Sequence, residues 1–203
     1  MLLKKAEDHI AEALNFTKRL NGGLIAGKHY TSAYYIYKDC NNLRAIECLE
    51  WAKIEYLNDG RSLLFAKTCQ LLASHTDDDS LAIKNYSLAR EYYGYENETK
   101  LAMSCLKEGA YLLAKTNVKQ AIKALNTVKN YHASFKNITD ECVEVFYNVG
   151  VLNLSLYRMN EVEQLLKENS YRNYHGYELL RGFYVRFRAG DLFDLELRRE
   201  AVF

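Results

Sequence analysis

The sequence of 203 residues contains no proline and only 10 glycines, although average composition supplies about 5% proline and about 7% glycine. Because these two residues most disfavour helix interiors, their scarcity favours long, uninterrupted helices. Neither sign of charge is in large excess, since 27 Lys and Arg residues are balanced by 26 Asp and Glu residues, for a net charge of +1. This balance argues against binding of nucleic acid or an anionic membrane through the overall field, and leaves only local basic patches.

Disulfide frameworks and membrane-spanning segments are not expected either. The five cysteines are odd in number, widely spaced and never arranged as C-x-x-C, which favours reduced thiols in a cytosolic protein. Acidic residues interrupt the amino end where a signal peptide needs an unbroken apolar stretch, and no later stretch approaches about 18 consecutive apolar residues. We therefore expect a cytoplasmic protein whose contact with membranes is at most peripheral.

The sequence contains an internal repeat. The pairs Ala45-Ile46, Ala82-Ile83 and Ala121-Ile122 recur at spacings of 37 and 39 residues, a period typical of helical-hairpin repeats. Three further positions recur in each repeat at fixed distances after the alanine. A core-type residue follows at offset 4 (Leu49, Tyr86 and Leu125), a small or branched residue at offset 7 (Ala52, Ala89 and Val128), and an aromatic or imidazole ring at offset 11 (Tyr56, Tyr93 and His132). These offsets trace one face of a helix, so we predict that they form the buried face of each repeat.

Turn and capping residues divide the chain into ten predicted helices. Asn58-Asp59-Gly60 ends one helix, the run Asp77 to Ser80 offers N-caps to another, and Asn117 offers a further N-cap. The predicted helices span 2–20, 28–39, 42–57, 61–75, 80–94, 97–115, 118–131, 138–156, 159–168 and 173–188. The predicted fold class is all-α, a TPR-like right-handed solenoid of about five antiparallel helical hairpins. Because no linker divides the chain, we predict one helical-repeat domain over 1–203 with a tail at 189–203.

One segment matches a nucleotide-binding pattern. Gly22 to Lys28 fits the phosphate-loop pattern G-x-x-x-x-G-K. However, His29 stands where Mg²⁺ coordination requires Ser or Thr, and a predicted helix precedes the segment where a phosphate loop follows a strand. We therefore predict a plain loop between two helices.

Catalytic, metal and cofactor sites are not predicted. The histidines His9, His29, His75, His132 and His175 show no H-E-x-x-H or Cys/His spacing that places ligands on one helix face. No G-x-S-x-G element exposes a nucleophile, so an enzyme is not expected. The 17 tyrosines occur at helical spacing without a matching basic footprint, which favours packing between helices over stacking on nucleic acid.

A more specific pattern runs from about residue 43 to 131. It combines Ala-Ile-x-x-Leu from Ala45, the Tyr-x-x-x-Gly-Arg helix boundary from Tyr56 to Arg61, the pair Ala66-Lys67 and an Ala-Ile…Tyr…Ala…Tyr-Tyr helix at 82–93. This segment resembles the soluble NSF attachment protein family, in a shortened form. The resemblance implies stacked helical hairpins that bind the SNARE four-helix bundle and recruit the AAA ATPase NSF, with no active site, cofactor or small-molecule substrate.

The resemblance also implies a SNARE-binding surface. Arg61 and Lys67 match basic positions of the family's SNARE-facing surface. The next repeat carries Ser104 where the alpha form has lysine, and Lys100 and Lys107 lie nearby as substitutes. A SNARE bundle exposes acidic helix faces, so a basic stripe would steer and orient its binding more than it would add raw affinity.

A membrane-contact loop is implied as well, at Leu24 and Ile25 in the segment Gly22 to Gly27. Two aliphatic side chains make a weak anchor, worth at most a few kcal/mol when inserted. The chain departs from the family by about one missing hairpin near its amino end and by a carboxyl end in which the ATPase-engaging segment is not recognisable. Stimulation of the ATPase therefore stays open. The subtype stays open as well, because the alpha and gamma branches fit about equally.

Two other hypotheses stay open beside this one. A generic TPR-like scaffold that binds another helix or peptide would present a groove with aromatic pockets in place of a basic stripe. An enzyme or nucleotide-binding protein that uses Gly22 to Lys28 belongs to a different class, and absence of thermal stabilisation by Mg-ATP would argue against it.

Overall fold

Helices dominate the structure. The computed structural model describes residues 2–19, 21–135 and 138–190, and these residues form ten α-helices, one short 3₁₀-helix and no strand. The α-helices are α1 (Leu2–Thr17), α2 (Gly23–Tyr37), α3 (Asn42–Asn58), α4 (Ser62–His75), α5 (Asp79–Tyr95), α6 (Thr99–Ala114), α7 (Val118–Ala133), α8 (Asp140–Ser155), α9 (Met159–Leu166) and α10 (His175–Ala189), with the 3₁₀-helix at Asn169–Tyr171. The predicted fold class, all-α and built from TPR-like helical hairpins, is confirmed.

The start of α2 corrects the prediction made from sequence. The glycines predict a loop from Gly22 to Gly27, whereas α2 begins at Gly23. Glycine is a poor helix former, but a Cβ on Gly27 would lie 2.5 Å from a ring carbon of Tyr56. The missing side chain therefore permits close packing of α2 on α3, and this packing outweighs helix propensity. The phosphate-loop pattern consequently lies inside a helix from Gly23 onward, with Gly22 as the N-cap residue.

The described chain divides after Cys105 into two compact units. In the first unit, each helix from α1 to α4 packs against the next along the chain, as hairpin repeats require. The predicted repeat face is confirmed, since its members in α3 and α5 are buried. These residues are Ala45, Leu49, Ala52, Tyr56, Ala82, Tyr86, Ala89 and Tyr93.

The second unit begins at Leu106 and contains the rest of α6 together with α7 to α10. Helix α8 packs against α7, α9 and α10, and its Phe146 is completely buried and stacked on Tyr171 with 4.3 Å between ring centroids. Of the predicted repeat face in α7, Ala121, Leu125 and Val128 are buried and His132 is partly buried. The repeat register thus continues into this unit.

The predicted N-caps are confirmed by their hydrogen bonds. The Asp78 carboxylate accepts from the backbone N–H groups of Ser80 and Leu81 at 2.8 and 3.2 Å at the start of α5. Asn117 Oδ1 accepts from the backbone N–H of Gln120 at 3.1 Å at the start of α7. Each cap satisfies a helix-end donor and contributes about 1 kcal/mol. Short polar side chains therefore set where these helices begin.

The predicted domain organisation stays a prediction over 1–203. The predicted tail at 189–203, including its acidic residues Asp191, Asp194 and Glu196, lies outside the described residues from position 191 onward.

Candidate partner-binding surface

The turn between α3 and α4 positions the first candidate residue, Arg61. Gly60 has a φ of +67°, a left-handed conformation that favours glycine, and ends α3. The next backbone N–H, that of Arg61, donates to the carbonyl of Tyr56 at 2.8 Å, as in a Schellman motif. This closure makes Arg61 the N-cap residue of α4. The Tyr-x-x-x-Gly-Arg segment of the sequence therefore ends α3 and places a basic residue, Arg61, at the start of α4.

Arg61 and Lys67 both reach solvent from the first two turns of α4. The Nε of Arg61 donates a hydrogen bond to Asp59 Oδ2 at 2.7 Å, and 51% of the Arg61 side chain is exposed. Asp59 thereby orients the guanidinium while leaving it half in solvent. Lys67 is exposed, and no ion pair joins it to any residue that the structure describes. The two side chains are therefore accessible to an acidic partner.

Lys100 lies in the first turn of α6 and is also exposed. Within the described ranges it too forms no ion pair. Helices α4 and α6 are the second helices of successive predicted hairpins, and equivalent helices of stacked repeats share a layer. The predicted repeat therefore assigns Arg61, Lys67 and Lys100 to one helix layer.

Lys107 has a different environment from the other three candidates. Its Nζ lies 2.8 Å from Glu141 Oε1 of α8 and 3.5 Å from Glu108 Oε1, and 12% of the side chain is exposed. Burial lowers the pKa of Lys107, but the hydrogen bond to Glu141 and the surrounding carboxylates raise it by more, so the net change is upward. The ammonium is held charged inside the second unit and is less accessible to a partner than Lys100.

Leu24 and Ile25 lie in the first turn of α2 rather than in the predicted loop. Leu24 is half-buried, whereas 42% of Ile25 is exposed. Complete burial of one exposed aliphatic side chain is worth about 1.5–3 kcal/mol, so this turn offers a weak apolar contact. Nowhere in the described ranges is a helix both long and apolar enough to cross a bilayer.

The family comparison adds the deciding observation. A family model described as "Soluble NSF attachment protein, SNAP" matches residues 2–176. The chain belongs to the soluble NSF attachment protein family. Membership gives the chain an adaptor role in general, in a family that is not one of enzymes. No curated protein matches the chain.

The family match is wider than the sequence pattern that first indicated it. The pattern covers about 43 to 131, whereas the match extends through α1 and α2 on one side and α8 and α9 on the other. All six candidate residues on α2, α4 and α6 therefore lie within the family region of this soluble NSF attachment protein.

Two buried cysteines, Cys48 and Cys69, are held in the thiol form by burial. Burial raises the pKa of Cys48 to about 11 and that of Cys69 to about 12. At neutral pH both thiols are therefore protonated, and only the thiolate is a nucleophile. Cys40 is exposed, whereas Cys48, Cys69, Cys105 and Cys142 are buried. Cys48 and Cys69 therefore act as small apolar residues of the core.

One cluster of ligating side chains was not predicted from the sequence. His9, Glu12 and His29 each offer one atom, and these atoms lie within 4.8 Å of one another. His9 and Glu12 share α1, but His29 comes from α2. Because the set is completed only by the packing of two helices, no spacing along a single helix indicates it.

Proposed function

We propose that this chain is an adaptor that binds SNARE four-helix bundles and recruits an NSF-type AAA ATPase for SNARE disassembly in vesicle-mediated intracellular transport. The observation that carries the proposal is the exposure of Arg61, Lys67 and Lys100 on α4 and α6 in a chain of the soluble NSF attachment protein family. The proposed location is cytoplasmic, with peripheral attachment to membranes. Neither nucleic acid nor a small-molecule substrate is a proposed partner.

Charge complementarity supports a local basic surface as the binding site for an acidic helix bundle. The net charge is only +1, so an acidic helix bundle is not attracted by the protein as a whole. Three accessible cations in one helix layer create a local positive field, which steers encounter and fixes orientation. Because the Debye length is about 8 Å at physiological ionic strength, binding through exposed side chains weakens as salt is added.

The membrane part of the proposal is more modest. Ile25 is the more exposed of the two aliphatic residues in the first turn of α2. One aliphatic side chain adds too little free energy for stable anchoring by itself. We therefore propose that the SNARE bundle brings the protein to the membrane and that Ile25 adds only a weak contact there.

The test is a pull-down of the purified protein on an assembled SNARE bundle at about 50 mM and about 300 mM salt. The double variant Arg61→Glu/Lys67→Glu should bind at least about tenfold more weakly, equivalent to about 1.4 kcal/mol. Addition of NSF to the wild-type complex should retain the ATPase on the beads. A SNARE bundle without the adaptor gives the background for that step.

A matched control is available on α5. Lys84 and Arg90 are exposed on that helix, which is the first helix of a predicted hairpin. Lys84→Glu/Arg90→Glu changes the net charge equally and should leave binding within about twofold. Equal losses in both double variants would contradict the assignment of this surface. Failure of the wild-type protein to bind any SNARE bundle would overturn the proposed function and favour a scaffold for another helix or peptide.

A further inference from the structure

Three potential metal ligands converge where α1 packs against α2. His9 and Glu12 lie three residues apart on α1, and His29 faces them from the second turn of α2. The two Nδ1 atoms are 3.2 Å apart. Glu12 Oε2 lies 3.0 Å from His29 Nδ1 and 4.0 Å from His9 Nδ1. One carboxylate oxygen and two ring nitrogens therefore form a small triangle.

The size of this triangle fits a transition metal. A point equidistant from its three corners in their common plane lies about 2 Å from each, which is the length of Zn–N and Zn–O bonds. Two of the three separations, 3.0 and 3.2 Å, are also short enough for hydrogen bonds, and the third, 4.0 Å between Glu12 Oε2 and His9 Nδ1, is small enough to keep the central point within bonding distance of all three atoms. The arrangement thus matches a coordination triangle without movement of the backbone.

The surroundings also favour an ordered site. The His9 and His29 side chains are 25% and 23% exposed, and the His29 ring is stacked on Phe16 with 5.7 Å between centroids and 11° between planes. Packing therefore restricts the imidazole that bridges the two helices. Glu12 is 57% exposed, so the solvent side of the triangle has room for a water molecule as a fourth ligand.

We propose that His9, Glu12 and His29 bind a Zn²⁺-class divalent cation between α1 and α2. Two imidazoles and one carboxylate are the ligands that suit zinc and its transition-metal neighbours, whereas Ca²⁺ and Mg²⁺ prefer sets made of oxygen atoms. The bound ion links the two helices, so it stabilises the folded state against the unfolded chain. The site does not depend on the proposed SNARE surface on α4 and α6.

The experiment uses the untagged chain and the metal alone. Co²⁺ is titrated as a spectroscopic probe and Zn²⁺ as a competitor. We expect one Co²⁺ per chain with the visible absorption of a four-coordinate ion, displacement by Zn²⁺, and a higher melting temperature with Zn²⁺. Absence of saturable binding with this stoichiometry overturns the proposal, whatever the outcome of the SNARE pull-down.

Two variants locate the ion, and a third serves as the matched control. His29→Gln and Glu12→Gln should each lower metal affinity at least about tenfold, because removal of a ligand costs no less than removal of its supporting hydrogen bonds. His175→Gln removes an exposed histidine at the start of α10 and should bind Co²⁺ like the wild type. Wild-type affinity in both ligand variants would place the ion elsewhere and refute the assignment.

Glu12→Gln keeps the test decisive if the other ligand variant is unstable. Its side chain is more than half exposed, so the fold should tolerate the exchange. Circular dichroism of each metal-free variant verifies the helical fold before titration. If His29→Gln does not fold, the affinity of Glu12→Gln relative to His175→Gln alone decides between the proposed site and binding at other residues.

Discussion

At the scale of single residues, the ring packed against Gly27 leaves no space for a side chain at this position. A Cβ at this position would meet three ring atoms of Tyr56 at 2.5 to 2.8 Å, and Tyr56 is itself 3% exposed. Its hydroxyl lies 3.2 Å from Thr31 Oγ1 on α2, so the ring cannot move without disturbing a second contact. An added methyl group therefore has no space at this contact between α2 and α3.

We predict that Gly27→Ala lowers the free energy of unfolding by about 1–2 kcal/mol. Overpacking costs about 1–3 kcal/mol, and the better helix propensity of alanine returns up to about 1 kcal/mol. Gly94→Ala in α5 is the control, since a Cβ there meets nothing within 4 Å, and it should be neutral or slightly stabilising. Urea denaturation measures both variants, and an equal gain in both would contradict the steric explanation.

At the scale of helices, the ion pair of Lys107 joins α6 to α8. We predict that Lys107→Met lowers the free energy of unfolding by about 1 kcal/mol, because the partly buried ion pair between Lys107 and Glu141 at 2.8 Å is removed. Lys100→Met, on the same helix but exposed, should change stability by less than about 0.5 kcal/mol. Denaturation curves of the two variants provide the comparison. A stability loss at Lys100 as large as that at Lys107 would be incompatible with these assignments.

Helices were predictable where periodicity and punctuation agree. Ala45, Leu49 and Ala52 repeat on one face, and all three are completely buried, because a helix can bury only residues that return to the same side. The start of α2 was not predictable, since glycine propensity indicates a loop and the close approach of the Tyr56 ring to Gly27 is set by tertiary packing. The sequence therefore predicts helices that follow from local periodicity and capping, and it fails where a helix depends on contacts with distant residues.

The candidate site was predictable to a smaller extent. Basic residues could be located on helices, but the sequence does not distinguish exposed Lys100 from Lys107, whose partner Glu141 lies on another helix. The contact of His29 with His9 and Glu12 was missed for the same reason. Charges and ligands acquire their roles from tertiary packing, whereas a repeat face is specified by local periodicity.

At the scale of the whole molecule, folding stabilises the protonated form of several cysteine and tyrosine side chains. Burial raises the pKa of Cys48 to about 11 and the pKa values of Cys69 and Tyr93 to about 12. The hydrogen bond from the Tyr37 hydroxyl to Glu7, together with burial, raises the pKa of Tyr37 to about 12. In the unfolded chain these groups titrate near about 8.5 for cysteine and about 10 for tyrosine. All four residues belong to the first unit.

Alkaline pH should therefore destabilise the first unit. As the pH rises above about 8.5, the unfolded chain releases protons that the folded state still holds, so the free energy of unfolding falls. The contribution of these groups is complete below about pH 8.5 and is lost as the pH rises towards about 11 to 12. Fluorescence of Trp51, the single tryptophan of the chain, reports unfolding of this unit, because its ring lies 5.4 Å from that of Tyr30 in α2.

We predict that the urea midpoint measured by Trp51 fluorescence under reducing conditions is nearly constant from about pH 7.5 to 8.5 and falls by about pH 10. Cys48→Ala removes one of the buried thiols and should make the fall between about pH 8.5 and 10 shallower, whatever its effect at neutral pH. Cys40→Ala is the matched control, because Cys40 is exposed, and it should retain the wild-type slope. A midpoint that rises with pH would mean that proton release from the folded state precedes release from the unfolded chain, opposite to the order that burial of these groups requires.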